Sequence, residues 1–298
     1  MLFSTSTHVL GSKFGLERAV DIIMDAGFPA IDVSMFDLKN GAYDDGYVDL
    51  AKRLKAKTEA RGVIFNQAHA PFGGGIENYR NNLVPLFARV FEFVSILGAK
   101  RIIVHPLQGD KPFCGNEEEY FEMNMEFYSS LIPLAKNTGV KIAIENMWRR
   151  HHFSRAIIDD VCADPAELVR YYDALGNSDV FDICLDIGHV AICNREPEAA
   201  IRRIGNKLSA LHTHDVDYVN DLHTLPGVGQ LNWDGIARAL AEVGYSGEIT
   251  LEADSFIRNM TRAYGDDFAP IASKFMAECT SRLAEKVEFY KKEFNNGK

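Results

Sequence analysis

The sequence lacks any apolar run approaching the ~18 residues a membrane-spanning helix needs, and its opening MLFSTSTH has neither the basic start nor the long apolar stretch of a secretory signal. Membrane insertion and export are not expected, and the expected location is the cytoplasm. Cysteine is sparse, at five residues (Cys114, Cys162, Cys184, Cys193 and Cys279) without CxxC spacing. An odd, scattered set in a reducing compartment reads as free thiols, which excludes a disulfide framework. Positive charge is in deficit, with 32 Lys and Arg against 42 Asp and Glu for a net charge of −10. That balance repels phosphate backbones and disfavours a nucleic-acid partner. Ser/Pro-rich linkers, charge runs, low-complexity segments and sequence repeats are missing as well.

What is present is a large potential core, with 47% of the 298 residues hydrophobic. Short β-rich runs recur at regular intervals: LFSTST (2–7), AIDVSMF (30–36), VIFNQAHA (63–70), RIIVHP (101–106), KIAIEN (141–146), FDICLDIGH (181–189), LSALHTHD (208–215) and EITLEAD (248–254). Between them lie stretches of helical period such as LERAVDIIMDAGF, YVDLAKRLKAKTEARG and LVPLFARVFEFVSILGAK, several closed by a glycine. Eight strand–helix units without a linker predict an α/β fold, a single (β/α)8 TIM barrel over residues 1–298.

Polar residues collect where these runs end. His69 closes the third, His105 the fourth, Glu145 the fifth, Asp186 and His189 the sixth, His212 and His214 the seventh, and Glu252 the eighth. In a barrel the C-terminal strand ends share one rim, where this fold places its active site. A carboxylate or imidazole buried at the end of an apolar run is costly unless it is paired or holds a metal. Two Glu, one Asp and one His from strands five to eight make a mixed oxygen and nitrogen donor set, suited to Mn²⁺, Co²⁺, Mg²⁺ or Zn²⁺. His8, His151 and His152 fall outside this set, and His214 is expected to lie above the metal. The loop HTHDVDYVNDLHTLPGVG (212–229) adds three histidines and three aspartates before a Pro-Gly-x-Gly turn.

The rim motifs HAP (69–71), VHP (104–106), IEN (144–146), LDIGH (185–189), LHTHD (211–215), LPGVGQLNW (225–233) and LEAD (251–254), in this order, resemble the xylose isomerase-like TIM barrels. That family holds sugar isomerases and epimerases, similar to D-tagatose 3-epimerase, together with endonuclease IV. The resemblance implies Glu145, Asp186, His212 and Glu252 as metal ligands and His189 as a contact to a substrate hydroxyl. It also implies an additional metal or substrate role for His69, His105, His189, Asp221 and His223, because the endonuclease IV branch places ligands at those positions. One metal site is expected and up to three are allowed, with Mn²⁺ the first choice. One departure from the epimerase pattern stands out: an arginine expected shortly after the strand-seven ligand is replaced by Val216, Asp217 and Tyr218.

The expected activity is a divalent-metal-dependent isomerase or epimerase of a sugar or sugar phosphate. Glu145 and Glu252 serve as catalytic bases on the two sides of an enediolate. Trp148 and Arg149, with Arg150, follow the fifth strand as a stacking wall or phosphate clamp. An endonuclease IV-like phosphodiester hydrolase is the alternative, set against the acidic loop DLKNGAYDDGYVD after strand two, and a non-catalytic sugar-binding barrel is a third reading. Dimers or tetramers are the expected assemblies.

Overall fold

The computed structural model describes residues 1–73 and 75–296. Eight parallel strands line up in the order β8-β1-β2-β3-β4-β5-β6-β7: β1 Phe3–Ser6, β2 Ala30–Ser34, β3 Ile64–His69, β4 Arg101–Val104, β5 Lys141–Glu145, β6 Phe181–Asp186, β7 Leu208–His212 and β8 Ile249–Leu251. The ends meet through Thr213, whose N–H donates to the Thr250 carbonyl at 2.8 Å and whose carbonyl accepts from the Glu252 N–H at 3.0 Å. These bonds bring the sheet round into the barrel that the alternation predicts. The strands are apolar almost throughout because both faces are covered, one by the interior and the other by helices.

Each crossover helix packs its apolar stripe on the sheet. Leu16–Ala26, for example, buries Leu16, Ala19, Val20, Ile22, Ile23 and Met24. It stops at Gly27, whose φ of +97° is open to glycine and strained for other residues. The run expected as one helix over 83–100 is regular only from Phe87 to Leu97; a wide turn over Tyr79–Leu83 and a tight one over Val84–Leu86, carrying Pro85, come first. Pro165 follows the capping Asp164, whose carboxylate accepts the Ala166 N–H at 2.8 Å. Two features have no counterpart in the expected pattern: an antiparallel ribbon, Trp148–Arg150 paired with Ile157–Asp159, and a short helix, Ile187–Ile192, directly after β6.

Strand parity positions the site. Ile103, Ala143, Cys184 and Ala210 form a small buried cluster of their own inside the barrel. Two residues further along the same chains stand His105, Glu145, Asp186 and His212, because successive inward side chains on a strand are two apart. The other half of the interior is polar: the Ser4 hydroxyl donates to Thr250 Oγ1 at 2.9 Å and the Asn66 amide to the same oxygen at 3.3 Å. Thr250 in turn lies two residues before Glu252.

Candidate metal centre

Glu145 is the hub of the rim. Its Oε1 lies 2.7 Å from His212 Nδ1, and its Oε2 lies 2.9 Å from His105 Nε2 and 3.4 Å from His69 Nε2. His212 Nε2 faces Glu252 at 3.6 Å and Asp32 at 3.8 Å. Asp186 closes the ring on the other side, with His214 Nε2 3.0 Å from its Oδ1 and His189 Nε2 3.9 Å from its Oδ2. Asp186 also caps the short helix after β6 by accepting the His189 N–H at 2.7 Å. His189 was expected on strand six; the chain instead turns into a helix at Ile187, and this swings the imidazole over the rim.

The loop after β7 builds a second group. Asp215 anchors it, its carboxylate accepting from the N–H groups of Val216, Gly227 and Leu231 and from the Trp233 indole, at 2.7 to 3.0 Å. Gly229 is obligatory there, since a Cβ would lie 2.3 Å from Asp215 Oδ1 and 2.5 Å from the Val216 carbonyl. Asp217 accepts the Val219 and Asn220 N–H groups at 2.9 and 2.6 Å, a local turn at the surface. Asp221 alone of the three aspartates reaches the site, its Oδ2 3.2 Å from His223 Nε2. His223, at φ +42°, stacks on His214 with ring centres 3.9 Å apart. The ligand atoms of His189, His214, Asp221 and His223 all lie within 4.8 Å of one another. The Asp- and His-rich loop is therefore part anchor, part turn and part site.

Three further groups meet the same 4.8 Å criterion: His69, Glu145 and His212; Asp32, His212 and Glu252; and Glu145, Asp186 and His189. All nine rim residues singled out from the sequence converge. Sequence reasoning missed Asp32, a lone carboxylate in the apolar run AIDVS, because it sits mid-strand rather than at a strand end. His214 is fully buried beside Asp186, in the space left by Gly188, whose Cβ would come 2.0 Å from its ring.

Burial sets the electrostatics. Desolvation pushes every one of these carboxyls up, but His212 and His105 beside Glu145 hold it well below the usual range. Asp186, desolvated yet facing His189 and His214, settles at about 2. For Glu252 burial outweighs His212 and His223, and its carboxyl is raised to about 8. Burial raises Asp32 also, against the pull of His212 and His69. Buried polar atoms lacking a hydrogen-bond partner among the described residues gather here: both Asp32 oxygens, Glu145 Oε2, His212 Nε2, His214 Nδ1 and Asp221 Oδ1. Such atoms are costly when left unpaired. An oxygen and nitrogen donor set with free lone pairs fits a divalent cation.

Above this floor opens a cavity of about 450 Å³. Phe36, Phe72, Met147 and Trp148 line it over β2 to β5, and Asp221, His223, Asp254, Ser255, Arg258 and His8 line it over β7, β8 and β1. His8 Nδ1 is 2.6 Å from Asp254 Oδ2, so it holds a rim carboxylate. Trp148 contributes to the wall. Arg149 does not: its guanidinium donates to buried Asp160 at 2.8 Å and to the carbonyls of Gly109 and Lys111 at 3.1 and 2.7 Å. Arg150 lies over the Trp148 ring at 5.3 Å, and His151 and His152 are exposed at the ribbon's turn.

Residues 20–271 match the sequence profile of the xylose isomerase-like TIM barrels. The chain belongs to that family. It is 24% identical over 297 residues to an inosose dehydratase of Lacticaseibacillus casei, an alignment covering 90% of each chain. It is 22% identical over 250 residues to a D-psicose 3-epimerase of Ruminiclostridium cellulolyticum, covering 80% of this chain and 77% of the other. In three dimensions it is similar to a D-tagatose 3-epimerase-like protein, with a TM-score of 0.75 at 20% identity over 99% of this chain and all of that one. Its fold is that of sugar epimerases, and its relatives of named activity include inosose dehydratases and a D-psicose 3-epimerase. No described helix is long and apolar enough to cross a membrane.

Proposed function

We propose that this chain is a divalent-metal-dependent isomerase or epimerase of a small ketose or ketose phosphate. The observation that carries this reading is the pair of buried carboxylates, Glu145 and Glu252, set on either side of His212 at 2.7 and 3.6 Å on the cavity floor. Glu145, Asp186, His212 and Glu252 would hold the ion, Mn²⁺ before Zn²⁺, Co²⁺ or Mg²⁺, and the ion supplies positive charge that favours an enediolate over the neutral ketose. Glu145 and Glu252 come from strands three apart and approach a substrate from different sides. One removes the proton beside the carbonyl and the other delivers a proton to the same or the neighbouring carbon. His189, whose Nδ1 is held by the Asn146 carbonyl at 2.9 Å, presents Nε2 toward a substrate hydroxyl. The group His189, His214, Asp221 and His223 supports a second cation, which anomalous scattering would show as a second peak.

The inosose dehydratase relatives favour a second reading on the same floor. The abstraction is identical, and the hydroxyl on the next carbon leaves in place of reprotonation. Metal analysis of the purified protein, followed by turnover of a ketose panel, an inosose and an abasic-site duplex, decides among these readings. Product from a ketose supports the first, a dehydrated dione from the inosose the second. Cleavage of the duplex alone, or no turnover by metal-loaded protein, would end both.

A further inference from the structure

The cavity lining is rich in carboxylates, namely Glu145, Asp221, Glu252 and Asp254, and among the described residues it holds a single Lys or Arg, Arg258. Arg258 lies on the helix Asp254–Tyr264 that follows β8, exposed at the cavity mouth one turn from Ser255. Asp254 is four residues before it, the spacing at which an acidic and a basic side chain ordinarily pair along a helix. That pair is not made. Asp254 is drawn across to His8 at 2.6 Å, and the Arg258 guanidinium enters no ion pair or side-chain hydrogen bond among the described residues. In a chain of net charge −10, the helix arginines Arg53, Arg170, Arg202 and Arg282 are tied to carboxylates, whereas Arg258 is left open against a cavity and is available to a ligand.

We infer that Arg258 determines substrate specificity by receiving an anionic group, a phosphate or a carboxylate, at the end of the ketose remote from its carbonyl. This rests on the reading proposed above and narrows it. Guanidinium presents a planar fork matched to the paired oxygens of both anions. The position also answers the absence noted after strand seven, where Val216, Asp217 and Tyr218 replace an arginine. Val216 is buried and Asp217 spends its carboxylate on its own turn, so the cation enters from the strand-eight side. Of the arginines that follow strand five, Arg149 is bound to Asp160 and two carbonyls, and Arg150 lies over the Trp148 ring and donates to the Arg155 carbonyl at 3.1 Å. Without Arg258 the acidic lining would repel an anionic end.

The test is calorimetric binding of a ketohexose, its 6-phosphate and the corresponding ketohexuronate to metal-loaded protein, wild type and Arg258→Gln, with circular dichroism to confirm folding. The wild type is expected to favour one of the two anionic ligands over the neutral ketose by about tenfold or more, the scale of one charge-assisted contact. Which anion is favoured separates phosphate from carboxylate. In Arg258→Gln that ratio is expected to fall toward one, and Arg258→Lys, which keeps the charge but not the fork, to fall between. Equal affinity for all three ligands in the wild type, or an unchanged ratio in Arg258→Gln, overturns the role of Arg258 and leaves the ketose reading standing. Failure of all three to bind overturns both.

Discussion

Asp186 shows how much one side chain can be asked to do at a barrel rim. It ends β6, caps the turn that carries His189 and faces His214, all through one buried carboxylate. Asn in its place keeps the cap, since an amide oxygen accepts the His189 N–H, but removes the charge that a cation and two imidazoles require. Asp186→Asn and His212→Ala are therefore expected to bind less than a tenth of the wild-type metal by elemental analysis and to lose turnover, with far-UV circular dichroism unchanged. Full activity of metal-stripped wild type would refute the metal centre. At this scale the sequence was legible wherever a charged residue closed an apolar run, as in IAIE, ICLD and ITLE. Asp32 escaped because nothing in AIDVSMF distinguishes an inward mid-strand carboxylate from a solvated one. The full burial of His214 was not legible, because it depends on the missing side chain of Gly188, a contact that no local pattern encodes.

Among the elements, the ribbon after β5 is the addition the sequence did not announce, since its strands are three residues each and carry no hairpin signal. Arg149 was expected to reach the substrate; its pairing with Asp160 makes it the rivet of that ribbon instead. Asp160 is fully buried, so Arg149→Ala leaves its carboxylate without a cation, held by the Gln108 amide and the Val161 N–H, and breaking a buried pair in this way typically costs about 3–5 kcal/mol. Urea denaturation is expected to show a loss on that scale, and a midpoint unchanged from wild type would refute the assignment. The helix Pro165–Leu175 carries a half-buried acid. Desolvation raises Glu167 to about 7, although the Cys162 N–H donates to it at 2.9 Å. An acid whose pKa rises on folding binds its proton more tightly in the native state, so its contribution is complete below the free value near 4.5 and is lost as pH rises through about 7. Glu167→Gln, which still accepts the same N–H, is expected to melt at a higher temperature than wild type at pH 8 and at an equal one at pH 4.5. A gain independent of pH would point to packing instead. Element ends were the least legible feature: β8 covers three of the seven residues its run offered, because Glu252 and the residues after it turn into the rim.

Across the whole molecule, closure of the barrel is what turns scattered motifs into chemistry. Strands β5 and β8 are separated by two others, so Glu145 and Glu252 reach the cavity floor from different directions while His212 of β7 stands between them. The alternation of eight runs and eight helical stretches made that closure legible, because only a barrel gathers every C-terminal strand end at one rim. The cavity's walls were less so, since they come from loops whose paths depend on anchors such as Asp215. The two-carboxylate floor has a consequence that tests the molecule as a unit. A proton taken up by a carboxylate exchanges with solvent before it returns, so product formed in D₂O should carry deuterium at the isomerised or epimerised carbon, read by NMR or mass spectrometry. A hydride shift passes the hydrogen directly from carbon to carbon and leaves the product unlabelled. Glu145→Gln and Glu252→Gln are expected to lower kcat by about 10²–10⁴-fold, the usual share of a positioned acid or base, even at metal concentrations that restore occupancy, because an amide oxygen ligates but accepts no proton at neutral pH. Unlabelled product, together with glutamine variants whose activity returns in full once metal is resupplied, would replace the two-base route with a hydride shift on the same scaffold.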